Sequence, residues 1–427
     1  MNIGANDKFF FLLSYHGKAA VMQYSFMLKE DIDVAALNKA APMAVEAFPL
    51  FGLRPVVERD GKLIMEEDHE EMLISRDDSK NVCLGSDDTN GYLFRITYSD
   101  RCIKIVASHA IGDGRSILSF SITLLYYYLL ETGRQIDTQG MVYTIEDKND
   151  PTLTDNLFDR LKEVDATAGQ SQSAPLDRFF YSPEEKIYMG TPDTRRLVLS
   201  WDQNRFMEIV RSEGATPLIY VHDLITRTMY EYYGLNDKTI IAFVPIDLRE
   251  KLESRSQANF TFNVDLWLDK ELLAKPAKER YESLKSMLRT AGRLENIAAT
   301  VDAVRPLYEE LNSMSFNDVD RLENMLDLSN VTKSYLLSNI GMIRMPDDIE
   351  KYVVDVDIYF SAREASPVYS MLTFANKGML IIGQNYEETG LIEALGNKFT
   401  ELGIPCKLED QGILKMDDLD IRRFKHR

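Results

Sequence analysis

A chain of 427 residues with 45% hydrophobic and 27% charged residues exceeds the usual size of one hydrophobic core and is too apolar for wholesale disorder, so two lobes or domains, or three, are expected. Its net charge of −19 repels phosphate backbones and anionic membrane surfaces, which argues against nucleic acid as a partner. Cys83, Cys102 and Cys406 are an odd number without CxxC spacing; they predict neither a disulfide framework nor a zinc site, and they fit a reducing cytoplasm.

The N-terminal MNIGANDKFFFLLSYHG has a short apolar run but no basic flank and no small-residue cleavage site, so it does not read as a signal peptide. AAVMQYSFMLKE has strand character. DVAALNKAAPMAVEAF repeats its apolar residues at three- and four-residue steps and predicts a helix. PLFGLRPVVERDGKLIMEED reads as a hairpin around Asp60-Gly61, and GYLFRITYSD and RCIKIVASH as a strand pair. The apolar run at 116–130, SILSFSITLLYYYLL, is shorter than the roughly 20 residues of a bilayer span, so no crossing is expected. Between about 145 and 195 the periodicity lapses, and EVDATAGQSQSAPLD, rich in small polar residues, predicts a linker or loop.

A second unit opens with the strand RRLVLSW and helices over DQNRFMEIVRSEG and TPLIYVHDLITRTMYEYYG. Pro217 suits the first turn of the second helix, where no amide partner is lost. The strands IIAFVPIDLRE and NFTFNVDLWL follow, then a helical stretch through roughly 273–328. SYLLSNIG, KYVVDVDIYF, VYSMLTFAN and GMLIIGQNY read as consecutive strands, and LIEALGNKFTELG as a helix. Both halves are therefore mixed α/β, and the predicted division is 1–175 and 176–427.

The chemistry concentrates in RCIKIVASHAIGDGRSILSF. A β-branched strand delivers His109 at its end, Gly112 and Gly114 permit a tight turn in which either can take positive φ, and a helix begins. An imidazole on rigid backbone at the mouth of a sheet is placed for general-base work. Asp113 is expected to turn inward and hold the loop through a charged partner, an arginine, because a buried unpaired carboxylate costs several kcal/mol, by rough estimate. His222 sits mid-helix and reads as packing. His16, His69 and His426 have no partners at metal-ligand spacing, so no metal site is predicted. GDGRS lacks the Gly-Lys-Ser/Thr ending of a phosphate-binding loop, and no G-x-S-x-G elbow is present.

His-x-x-x-Asp-Gly between a strand and a helix resembles the active-site motif of the CoA-dependent acyltransferase superfamily, which includes chloramphenicol and alcohol acetyltransferases, wax-ester synthases and nonribosomal-peptide condensation domains. FPLFGLRPVVERDGK, EGATPLIYVHDLITRTM, AFVPIDLRE followed by ANFTFN, and LSNIG resemble further segments of that superfamily in the order its members show them. The resemblance implies two chloramphenicol-acetyltransferase-like lobes, each a two-layer αβ sandwich with a mixed sheet, and a tunnel between them with His109 near its middle. It implies that His109 deprotonates an alcohol or amine acceptor as it attacks an acyl thioester, that Asp113 pairs with Arg249, and that Asn259 lines the tunnel. Ser338 and Asn339 are expected near the reacting carbonyl.

Acyl-CoA is the implied co-substrate, with no permanently bound cofactor; an anionic donor of this kind calls for a local basic patch. An acyl-phosphopantetheinyl carrier protein acting in trans, as for a free-standing condensation enzyme, is the alternative, and a non-catalytic scaffold of the same fold is the second. Ser108 stands where many condensation domains carry a second histidine, and Ala258 where the superfamily usually has glycine. The plant-type Asp-Phe-Gly-Trp-Gly signature is absent. A monomer is expected.

Overall fold

The computed structural model describes residues 5–15, 20–78, 80–170, 174–176, 179–180, 193–313, 315–317, 333–361 and 366–427. The chain opens with helix α1 (Ala5–Tyr15), strand β1 (Val21–Leu28), helix α2 (Val34–Glu46) and the antiparallel pair β2 (Leu53–Val57) and β3 (Leu63–Glu67). Gly61 turns that hairpin at φ 81°, in the left-handed region that favours glycine. Short strands β4 (Ile74–Arg76) and β5 (Cys83–Leu84) lead to β6 (Phe94–Tyr98), β7 (Cys102–Ser108) and the helix α3 (Gly114–Glu131). Asp33 caps α2 by accepting from the amides of Ala35 and Ala36, which is why the helix starts where its apolar repeat does. The predicted elements of this region are all present.

From 145 to 161 the structure departs from the expected linker. Two short 3₁₀ turns, Ile145–Asn149 and Pro151–Thr154, precede α4 (Leu157–Leu161), and Leu153, Leu157, Phe158 and Leu161 are buried. The first of these turns buries no side chain, the second only Leu153, and the five-residue α4 is too short to repeat, so they leave no 3.6-residue period to read. Residues 171–173, 177–178 and 181–192 of the predicted loop lie outside the described residues.

The second lobe runs through β8 (Asp193–Asp202), α5 (Gln203–Ser212), α6 (Pro217–Tyr232), β9 (Ile240–Asp247), β10 (Thr261–Leu268), α7 (Lys270–Leu273), α8 (Ala277–Ala291) and α9 (Leu294–Ser313). The remaining elements are β11 (Tyr335–Met342), α10 (Asp347–Glu350), β12 (Val353–Phe360), β13 (Val368–Phe374), β14 (Lys377–Gln384), α11 (Gly390–Glu401), β15 (Cys406–Lys415), β16 (Asp418–Leu419) and β17 (Lys425–His426). Seven strands form the large mixed sheet in the order β10-β9-β11-β13-β14-β8-β15.

Two late segments cross back. β12 joins the sheet of the first lobe, whose order is β12-β1-β7-β6-β4, with Met22 opposite Phe360 and Ser25 opposite Asp357. The C-terminal tail returns as well: β16 pairs with β5, and β17 with β2. Buried Arg196 of β8 forms an ion pair with Asp357 of β12, tying the two sheets together. A small apolar cluster of Leu157, Phe158, Leu248, Phe260, Ile297 and Val301 draws on α4, α9 and the two ends of the β9–β10 connection. No described helix is long and apolar enough to cross a membrane.

Candidate active site

β7 is the central strand of the first sheet, paired with β1 and β6 along its length, so its last residue is held on both sides. Ser108 donates its amide to Leu93, and His109 donates its own to Ala20, at 2.9 Å each. The Ser108 hydroxyl then accepts from the Ala110 amide at 3.1 Å, which bends the chain out of the sheet. His109 is thereby presented on a backbone with little freedom.

Gly112 and Gly114 do not take positive φ, contrary to the expectation from the sequence. Their role is close approach. A Cβ on Gly112 would stand 2.9 Å from Ser116 Cβ and 3.0 Å from the Gln257 carbonyl, and one on Gly114 would stand 3.0 Å from the Tyr24 hydroxyl. That hydroxyl donates to the Gly114 carbonyl at 2.6 Å and ties β1 to the start of α3. Gly112→Ala is expected to lower unfolding free energy by about 1–3 kcal/mol through overpacking against backbone that cannot give, measured by urea denaturation. An unchanged midpoint would show that the loop relaxes freely.

Asp113 is buried and is the N-cap of α3. Its Oδ1 accepts from the amides of Arg115 and Ser116 at 3.1 and 3.0 Å and from the Ser116 hydroxyl at 3.2 Å. Its Oδ2 accepts from Arg249 Nη2 at 2.9 Å and from the Phe260 amide at 2.8 Å. Burial pushes the carboxyl pKa up, but Arg249 and the amides of Phe260 and Ser116 outweigh it and hold it below its ordinary value. Asp113 therefore stays ionised and serves as structure.

Arg249 reaches this carboxylate from just beyond β9. It donates also to the carbonyls of Ser256 at 2.6 Å and Ala258 at 2.8 Å, to the Ser116 hydroxyl at 2.8 Å and to Asp247 at 3.0 Å. Every arm of the guanidinium is used, as a buried fork requires. Ala258, in place of glycine, is accommodated: its carbonyl still accepts from both Arg249 and Ser116. The β9–β10 connection is thus locked against the start of α3.

Next in the chain, Asn259 donates from Nδ2 to the His109 carbonyl at 2.8 Å, so the four predicted residues His109, Asp113, Arg249 and Asn259 form one group. Burial lowers the His109 pKa below its ordinary value, opposed by the charge of Asp113, by its own carbonyl and by the Asn259 side chain. The ring is neutral at pH 7 and able to accept a proton. His109 Nδ1 and Asn259 Oδ1 are both buried without a well-formed hydrogen bond.

Two residues invisible to motif reading also reach this group. On α1, Phe10 lies flat on the His109 imidazole, centroids 3.9 Å apart and planes 10° from parallel, and Asp7 accepts from Asn259 Nδ2 at 2.7 Å. The aromatic run Phe9-Phe10-Phe11 was the available signal, but nothing local says what an N-terminal helix packs against.

Ser338 and Asn339 stand apart in the hydrogen-bond network. β11 sets them opposite Ser370 and Met371, and Asn339 is exposed at a cavity of about 130 Å³ lined also by Trp201, Phe206 and Met371. Among the described residues, no hydrogen bond ties either to the His109 group. His222 is buried, its Nδ1 2.7 Å from the Tyr335 hydroxyl, and burial holds its pKa down at about 3, so it is a neutral packing residue. Among the described residues, no cluster of His, Cys, Asp or Glu is arranged to hold a metal ion.

Comparison with solved structures finds the same architecture elsewhere. Polyketide synthase associated protein 5 from Mycobacterium tuberculosis superposes with a TM-score of 0.62 at 13% identity, covering 93% of this chain and 95% of that one. The chain has the acyltransferase and condensation-domain fold. TRI3 trichothecene 15-O-acetyltransferase from Fusarium sporotrichioides shares this fold at TM-score 0.60 and 14% identity, over 94% of this chain and 93% of its own. The epimerization domain of the third module of tyrocidine synthetase B shares it at 0.58 and 13%, over 94% and 95%. No family model and no curated relative matches the sequence itself. The acyltransferase fold is thus two-lobed and mixed α/β here, as the sequence implied.

Proposed function

We infer that the protein is an acyltransferase that moves an acyl group from a thioester to an alcohol or amine, with His109 as the general base. The observation that carries this reading is the placement of a neutral imidazole at the end of a central strand, on a loop clamped by the buried Asp113–Arg249 pair. In the reaction, His109 takes the proton of the acceptor as its oxygen or nitrogen bonds to the thioester carbonyl carbon. The C–S bond then breaks, and the imidazolium returns the proton to the leaving thiolate. One histidine can serve both steps because its ordinary pKa lies near neutrality. No acyl-enzyme is required.

Coenzyme A is the donor carrier we favour, and TRI101, another protein of this fold, was solved in complex with coenzyme A and T-2. A phosphopantetheinyl carrier protein is the second reading, supported by the condensation and epimerization domains of the same fold. Ser108 in place of a second histidine weighs against it. Unpaired Cys83, Cys102 and Cys406 support action in the reducing cytoplasm.

Thiol release from acyl-CoAs of increasing chain length, with pooled alcohols and amines, tests the reading. Acceptor-dependent release supports it and sizes the acyl site. Release from carrier-bound donors alone moves the assignment to condensation, and silence with both sinks it. The acid limb of kcat/KM is expected below pH 6.5, because burial lowers the His109 pKa and the active form is the neutral ring. A profile flat well into the acid range, with chemistry limiting, removes His109 from the role.

A further inference from the structure

A histidine that works as a base through one ring nitrogen is usually aimed by a hydrogen bond to the other, from a carboxylate or a carbonyl. His109 has no such well-formed bond at Nδ1, and that nitrogen is buried. Asp113, the nearest carboxylate in sequence, is fully engaged with Arg249, Ser116 and backbone amides. The looser contacts of the ring with its own carbonyl and with the Asn259 side chain leave room for a further group to restrain rotation of the imidazole about its Cβ–Cγ bond.

Phe10 is placed to do so. At 3.9 Å and 10°, its ring covers one face of the imidazole at van der Waals contact, and rotation of the imidazole out of that plane would drive its edge into the phenyl face. Asp7, one helical turn earlier, acts on the neighbouring group. Its Oδ1 and the His109 carbonyl are both acceptors, so together they require the Asn259 nitrogen to face them. The Asn259 oxygen is left buried beside the base without a well-formed hydrogen bond, where an O–H or N–H of an acceptor is a natural partner.

The helix is itself anchored from its other side. Phe11 and Leu12 are fully buried, Phe11 meets Phe424 of the C-terminal tail edge-on at 5.9 Å, and Lys8 donates to the Asn312 carbonyl at the end of α9 at 3.0 Å. A loose segment would not carry these contacts.

We propose that α1 is part of the catalytic centre: Phe10 orients the His109 imidazole by stacking, and Asp7 fixes the Asn259 carboxamide so that its oxygen faces the acceptor. This rests on the acyl-transfer reading. Both are positioning residues, Phe10 through direct contact with the base and Asp7 through Asn259. Burial raises the Asp7 pKa to about 7, against the hydrogen bond from Asn259 and with the charge of Asp113 added. Asp113 is the charged group facing it across the site, while Lys8 turns away toward Asn312 and the Phe316 ring.

The test uses the full chain with Phe10→Ala, Phe10→Trp, Asp7→Ala and Asp7→Asn, and reads two quantities. The first is kcat. Phe10→Ala is expected to lower it about 100-fold, the scale of a reacting group misplaced by an ångström, with KM little changed and Phe10→Trp restoring most of the rate. Asp7→Ala is expected to cost about tenfold, the weight of one buried hydrogen bond, and Asp7→Asn, whose carbonyl still accepts from Asn259, to recover it while removing any inflection of the rate near pH 7.

The second readout is independent of turnover: carbethoxylation of His109 by diethylpyrocarbonate, followed by peptide mass spectrometry, with exposed His69 and His426 as internal references. Phe10→Ala is expected to speed modification of His109 severalfold and leave the references unchanged. Equal rates in wild type and Phe10→Ala overturn the proposal, because the ring is then not covered. A rise in kcat for Phe10→Ala overturns it too, by making α1 a plug. If carbethoxylation responds as expected but the wild type transfers no acyl group from any donor, the grip of α1 on His109 stands and the acyl-transfer reading falls.

Discussion

Acyl transfer by the His109→Ala protein is expected to fall by about 10²–10⁴-fold, the range in which a positioned general base contributes to rate. The carboxyl of Asp7 accepts from Asn259 Nδ2 at 2.7 Å and so is held one residue back from the base. Asp113 is committed to Arg249 and stays ionised, Asn259 does not titrate, and the Ser108 hydroxyl is engaged with the Ala110 amide. The loss should appear in kcat, because the interaction removed is made as the proton moves. Stability should change little by comparison: the imidazole makes no well-formed hydrogen bond at Nδ1, and its truncation removes the stacking on Phe10 and looser contacts with its own carbonyl and Asn259. Steady-state thiol release, with urea midpoints for wild type and variant, separates the two. A rate within threefold of wild type would show that the base lies elsewhere, since a threefold change is well under about 1 kcal/mol.

Arg249→Met is expected to cost about 3–5 kcal/mol of stability at neutral pH, the penalty for leaving one partner of a buried ion pair charged and alone. The substitution removes the guanidinium donor from Asp113 Oδ2, leaving the Phe260 amide there, and it strips the Ser256 carbonyl of its Arg249 partner while the Ala258 carbonyl keeps only the Ser116 hydroxyl. The pH dependence gives the sign. In the native chain Asp113 titrates below its ordinary value, so its contribution is complete above that value and is lost as pH falls through the depressed one. Without Arg249, burial pushes Asp113 upward instead, and the carboxyl protonates as pH falls from neutrality. The difference between Arg249→Met and wild type should therefore be largest near pH 7 and shrink toward acid. Urea unfolding at a series of pH values measures it, and a difference that grows toward acid would contradict the assignment of an ionised Asp113. A cycle with Asp113→Asn isolates the pair itself, because the two residues share one network and their effects will not add.

Both residues could be found from the sequence because their constraints are local. His109 and Asp113 lie four apart between a β-branched strand and a helix, and the capping of α3 by Asp113 is a property of neighbouring residues. Arg249 was reached only through the resemblance, since 136 residues separate it from its partner. Gly112 and Gly114 were found for the wrong reason: their presence is local, but whether a glycine serves φ or close approach depends on what packs over it. Asp7 and Phe10 were missed entirely. An apolar N-terminal run has the same periodicity whether it covers a catalytic ring or only a patch of core.

The division is sharpest at β12. Its alternating apolar pattern makes KYVVDVDIYF a strand, but that pattern is satisfied equally by either sheet, and only the assembled edge of β1 decides that it leaves its sequence neighbours β11 and β13. By itself the sequence determined most of the longer strands and helices, the mixed α/β class and the strand–turn–helix that presents His109, because hydrophobic periodicity and helix capping act over a few residues, whereas α1 and the short turns at 145–161 carry no such signal. Tertiary structure decided the crossing of β12 and the tail, the closing of Arg249 on Asp113, and the seating of α1 on His109. Those choices depend on long-range burial, where many segments of equal local propensity compete for the same surface.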